Sequence, residues 1–145
     1  MKTNRTWQRG YLLLALLFFV FIFSAQTQAK QTQHEFYGSE AQRITAGASM
    51  AKLNPNSTIP ALVVFNEQSQ IATAAFLSWF KETYKLNSAY EFELLSEKRD
   101  DLNNTHFEYV LKIEDVQLDM NWLNVHAKNG MVYQFNGNVE IVTSP

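Results

Sequence analysis

The stretch His106-Phe107-Glu108-Tyr109-Val110-Leu111-Lys112-Ile113-Glu114-Asp115-Val116-Gln117-Leu118-Asp119-Met120-Asn121-Trp122-Leu123 decides the fold class. Phe107, Tyr109, Leu111 and Ile113 alternate with more polar residues, which is the two-residue period of a half-buried strand. Glu114-Asp115 interrupts the run. The alternation resumes with Val116, Leu118, Met120 and Trp122, then slips one position, because Leu123 and Val125 continue on the other parity. A β-bulge near Trp122-Leu123 accounts for such a slip.

Working outward, Tyr90, Phe92 and Leu94 alternate with Glu91, Glu93 and Leu95, and Arg99 to Asn104 reads as the turn into the His106 strand. Downstream, Lys128-Asn129-Gly130 is a hairpin turn, followed by Met131, Tyr133 and Phe135 and an Asn136-Gly137-Asn138 finish. Upstream, the period is 3.6. Ile71, Ala72, Ala75, Phe76, Trp79, Phe80 and Tyr84 share one face of a helix from Ser69, as cap, to about Lys85, with Asn87 as its left-handed end. Ile59 to Phe65 reads as a strand with Pro60 at its start or on an edge. Trp79 and Trp122 are expected in the core between helix and sheet. The expected architecture is therefore α+β: an antiparallel sheet of about four to five strands packed against one main helix.

The first 58 residues carry no such pattern. Lys2, Arg5 and Arg9 precede an apolar run from Tyr11 to Phe23 that is too short for a membrane span of about 20 residues. Thr27 and Ala29 fit the −3 and −1 positions of a cleavage before Lys30, so residues 1–29 read as a signal peptide and the product as exported, secreted or periplasmic. Residues 30–58 read as a polar N-terminal segment with little to bury, and residues 59–145 as the folded domain. Cleavage would leave 12 − 3 = 9 basic against 14 acidic side chains, a net charge of −5, which offers no footprint for nucleic acid. With no cysteine, disulfides, thiolate metal sites and a Cys nucleophile are excluded. Two sequons, Asn56-Ser57-Thr58 and Asn103-Asn104-Thr105, matter only in a glycosylating host.

Catalytic patterns are missing. His34-Glu35-Phe36-Tyr37-Gly38 starts like the H-E-x-x-H of a zinc peptidase but has Gly38 where the second histidine belongs. His106 and His126 would approach each other if their strands pair, with Asp119 or Glu108 as a nearby carboxylate, but two histidines without a third ligand are a poor zinc site. No G-x-S-x-G elbow or glycine-rich phosphate loop occurs. Glu91, Glu93 and Glu97, and the Glu114-Asp115 pair, read as solvated sheet edges. No catalytic residue, metal or cofactor is expected, and the chain is not read as an enzyme.

In that register the sequence resembles the fungalysin/thermolysin propeptide family, the pro-region of thermolysin-like metallopeptidases, over roughly residues 60–139. His106 and Tyr109 stand on the first strand of the pattern, Val116 and Leu118 beside its turn, Val125-His126 at the end of the second strand, and Asn129-Gly130 through Asn136-Gly137-Asn138 in the closing hairpin. Ala74 to Leu77 falls where the family places its helix. Three positions depart: Asp115 and Met120 stand where glycine is usual, and Gln117 where proline is usual. The resemblance makes His106, Tyr109, Val116, His126, Gly130, Asn136 and Gly137 the candidate family-motif or partner-contact positions. It implies a non-catalytic module that chaperones and inhibits a thermolysin-like zinc metallopeptidase catalytic domain, in cis in the family. Because no catalytic sequence follows Pro145, action in trans is the expectation here, with a fragment of a truncated precursor or a free-standing extracellular binding module as alternatives.

Overall fold

The computed structural model describes residues 34–54 and 57–141; the signal-peptide reading of residues 1–29 lies outside the described residues. The strands are β1 His34–Tyr37, β2 Ala48–Leu53, β3 Pro60–Phe65, β4 Ile71–Ala72, β5 Tyr90–Arg99, β6 Asn104–Ile113, β7 Val116–Lys128 and β8 Met131–Asn138. The helices are α1 Ser39–Ile44 and α2 Thr73–Thr83, with one 3₁₀ turn at Glu67–Ser69. All pairings are antiparallel, in the order β1-β2-β3-β8-β7-β6-β5, with β4 also on β8.

The expectation of four to five strands under one main helix is corrected by this sheet. Strands take 56% and helix only 19% of the described residues, and the sheet has eight strands. Of the three extra strands, β1 and β2 come from residues expected to be a polar lead-in, and β4 from Ile71 and Ala72, expected in the helix. Ala41, Ala48 and Ala51 are all fully buried. Side chains this small let α1 and β2 approach closely, and they leave no large-residue periodicity to read.

One face of the sheet is covered and the other open. Phe76 and Phe80 of α2 point onto Val63, Leu111, Leu123, Val125, Val132 and Phe135, all in one buried cluster. Phe135 sits at its centre, with ring centroids of Phe80 at 5.3 Å, Phe76 at 5.7 Å, and Phe65 and Tyr84 at 6.2 Å. The hydroxyls of Tyr84 and buried Thr45 share a hydrogen bond of 2.9 Å, tying the end of α2 to the end of α1. Burial accordingly pushes the Tyr84 phenol well above its ordinary pKa.

Several local expectations shift for tertiary reasons. The helix begins at Thr73 rather than Ser69, because Ile71 and Ala72 pair with Val132 and Met131 of β8. No side chain caps it. Lys85, at φ 57°, rather than Asn87, takes the left-handed position at its end. Trp79 joins the core, but Trp122 lies on the open face at 38% exposure. In β8, Tyr133 is the extra residue between the His126–Gln134 and Ala127–Val132 pairs, so Val132 and Phe135 face inward.

Two of the three departures from the family pattern, Asp115 and Met120, now have a backbone meaning. Glu114 and Asp115, at φ 48° and 65°, form a two-residue turn between Ile113 and Val116 with both centres left-handed. Met120, at φ 62°, lies in the bulge of β7 between the Lys112–Gln117 and Val110–Trp122 pairs. The chain keeps glycine-type conformations without the glycines. Asp115→Gly is therefore expected to stabilise the fold by about 0.5–1 kcal/mol, read as a raised midpoint in urea denaturation.

Candidate functional site

The antiparallel register of β6, β7 and β8 places His106 opposite His126, and His126 opposite Gln134, on the open face. The preceding turn adds Asp100, and Asn136 follows two residues after Gln134. A polar chain results. Asp100 Oδ2 lies 3.1 Å from His106 Nε2, His106 Nδ1 lies 2.7 Å from His126 Nδ1, and His126 Nε2 lies 2.8 Å from Asn136 Oδ1.

Hydrogen-bond parity restricts its protonation. An ionised carboxylate only accepts, so His106 Nε2 carries a hydrogen. The Nδ1–Nδ1 contact needs one donor and one lone pair. Two arrangements satisfy both ends. With Asn136 Oδ1 toward His126, the His126 Nε2–H donates, and whichever ring donates across the Nδ1–Nδ1 contact is an imidazolium. With the amide turned over, its NH₂ donates to His126 and the pair is neutral. A doubly charged pair would set two N–H groups against each other and open the contact.

Asp100 anchors one end. It accepts from the Asn104 side chain at 2.8 Å, from the Asn104 backbone N–H at 2.8 Å and from the Leu102 N–H at 2.9 Å, closing the β5–β6 turn. These donors, the Asn104 amide foremost, hold its carboxyl well below the usual carboxylate range. Because the folded-state pKa is depressed, the stabilisation is present above the unfolded value of about 3.9 and is lost as pH falls toward the folded one. Denaturation midpoints followed from neutral pH into acid should fall below about pH 4 in the parent. In Asp100→Asn that acid limb should flatten, so that the two proteins converge at the lowest pH.

Beside the pair lies a shallow depression of about 250 Å³, lined by Ser96, Lys98, His106, Glu108, Asn124 and His126. Its groups can donate and accept hydrogen bonds to a polar partner surface. They do not make a metal centre: among the described residues no group of three His, Cys, Asp or Glu side chains is placed to hold a metal ion. Asp119, considered as a carboxylate for the histidines, is in the β7 bulge instead. His34 and Glu35, the partial H-E-x-x-H, lie on β1 and not on a helix.

Of the sequence-derived positions, the structure brings together His106, His126 and Asn136. Tyr109 faces the covered side, against Phe92 and Phe107. Val116, 65% exposed, follows the β6–β7 turn, and Gly130, at φ 76°, closes the β7–β8 turn. Gly137 lies over β7, where a Cβ would stand 2.5 Å from the Trp122 carbonyl oxygen. Asp100 was missed as a site residue. Its place at the head of a tight turn, where aspartate bonds backbone N–H groups two and more residues on, was the available signal.

Among the described residues no helix is long and apolar enough to cross a membrane. No curated protein and no solved structure matches the chain. The family model described as Fungalysin/Thermolysin Propeptide Motif matches residues 90–139, which are β5 through β8 and the residue after them. The match is narrower than the resemblance read from the sequence and leaves α2 and β3 outside it. The four-stranded half of the sheet that carries the histidine pair is therefore similar to the fungalysin/thermolysin propeptide motif, a family of propeptides and not of catalytic domains.

Proposed function

We propose that this chain is an exported propeptide-like module that binds the catalytic domain of a thermolysin-like metallopeptidase, assists its folding and holds it inactive. The family match over β5–β8 carries the reading. The open face supports it, because the histidine pair, Glu108, Asn124 and half-exposed Trp122 offer a broad mixed surface of the kind a partner domain covers. The basic residues and apolar run before residue 24, with the small residues after it, support export. If module and catalytic domain are joined in one chain, an effective concentration on the order of millimolar would let even a modest interface occlude the enzyme.

The test uses residues 30–145 with a thermolysin-like catalytic domain from the same organism. Refolding yield of the denatured catalytic domain should rise when the module is added, and peptidase rates should fall at micromolar module. Unaltered yield and unaltered rates together would sink the proposal.

A further inference from the structure

Strand β5 ends the sheet: it pairs with β6, and among the described residues no strand pairs with its other edge. Ten residues of open strand edge invite pairing with another chain, and proteins commonly block such edges with charge. On the open face of β5 the charges are sorted by sign: Glu91 and Glu93 occupy the first half and Lys98 the second, while Glu97 and Arg99 lie on the covered side. Between them Leu94 and Leu95 are 47% and 54% exposed.

The bulge makes this order self-complementary. Leu95 is the extra residue between the Leu94–Tyr109 and Ser96–Glu108 pairs, so the facing of the strand reverses there. Glu91 and Glu93, opposite Lys112 and Val110, and Ser96 and Lys98, opposite Glu108 and His106, all lie on the open face. A second β5 laid antiparallel, with Leu94 against Leu95 of the other copy, brings Glu91 against Lys98 and Glu93 against Ser96 on the open face, and Tyr90 against Arg99 and Phe92 against Glu97 on the covered one. Every pair then falls on a common face, which an unbulged strand would not allow in this register. A parallel pairing in register would instead set Glu91, Glu93, Lys98 and Arg99 each against its own kind. Glu93 is already held by Lys112 of its own chain. Glu91 and Lys98 make no salt bridge among the described residues, although Glu91 stands across from Lys112 and feels its charge, so both carboxylate and ammonium are open to a second copy.

From this pattern we propose that β5 pairs with β5 of a second copy of the chain, joining the two sheets into one continuous sheet across a two-fold axis. Two copies of the Glu91–Lys98 pair fix the register, and the leucines fill its centre. The contact is small and gives a weak, reversible dimer. Its charged pairs are exposed, so added salt loosens it. This inference is independent of any peptidase partner.

The whole described core lies within residues 33–145, which form one compact unit, so that unit is the species to test. Sedimentation velocity up to about 1 mM chain should show a concentration-dependent dimer, and amide exchange in β5 should slow as the dimer forms. Lys98→Glu, on an exposed side chain, should weaken association by about tenfold or more. Glu91→Lys combined with Lys98→Glu should restore it, which also controls for folding. A monomer throughout the range would overturn the proposal. So would a dimer indifferent to Lys98→Glu, or β5 amides protected only by a metallopeptidase domain.

Discussion

Phe135→Ala is expected to cost about 3–5 kcal/mol of folding stability, the largest effect of any single truncation in this molecule. The ring is fully buried and touches α2 and both halves of the sheet, through Phe76, Phe80 and Trp79 on the helix and Phe65 on β3. Truncation loses the transfer energy of the ring. It also leaves a cavity whose walls come from separate elements and cannot collapse together. Domains of this size are stable by about 5–15 kcal/mol in all, so a large share of the variant should be unfolded at physiological temperature. Urea denaturation of parent and variant measures the difference. A loss below about 1 kcal/mol would mean that Phe135 is not where the two halves of the core meet.

Gly137→Ala should be nearly as damaging, through a different cause. Gly137 has no left-handed backbone to protect; what forbids a side chain is space. The added carbon would meet the Trp122 carbonyl oxygen at 2.5 Å and the Leu123 Cα at 3.2 Å, and both are backbone atoms of the paired strand. Neither can rotate away, so β7 and β8 must separate. We expect a loss of about 2–3 kcal/mol. The same separation should reach Asn136, one residue away, and lengthen its contact with His126. Two readouts therefore distinguish the variants. Gly137→Ala should alter the imidazole NMR signals of His126 under conditions where it remains folded, whereas Phe135→Ala, pointing to the covered face, should leave them in place. A stable Gly137→Ala protein with unaltered histidine signals would show that the strands tolerate a wider spacing.

The four strands that carry the family match were legible because each has large residues on one face and polar ones on the other. In β6, Phe107, Tyr109, Leu111 and Ile113 announce their own facing. Residues 34–53 were not legible for the opposite reason. Their inward side chains are mostly alanines, chosen by the closeness of α1 to β2, and alanine says little about period. The start of α2 was misread because pairing with β8 outweighed the helical pattern at Ile71 and Ala72. Trp122 was misplaced by the bulge before it, which turned an apparently inward residue outward. The meeting of His106 with His126 followed from counting residues through the hairpin. Their further partners did not, since Asp100 reaches His106 from a turn and Asn136 reaches His126 from a neighbouring strand, and neither geometry leaves a period.

Among the described strands, the last to be synthesised is the one in the middle. β1, β2 and β3 meet β5, β6 and β7 only through β8, which touches β3 on one side and β7 on the other. Until about residue 138 has been delivered, a growing chain holds two partial sheets with no seam between them, and the ring of Phe135 is not yet present to fill the centre. Such a chain cannot close early, because long-range pairing must wait for β8. The order of the strands thus acts as a timer that holds back closure of the sheet until β8 has emerged.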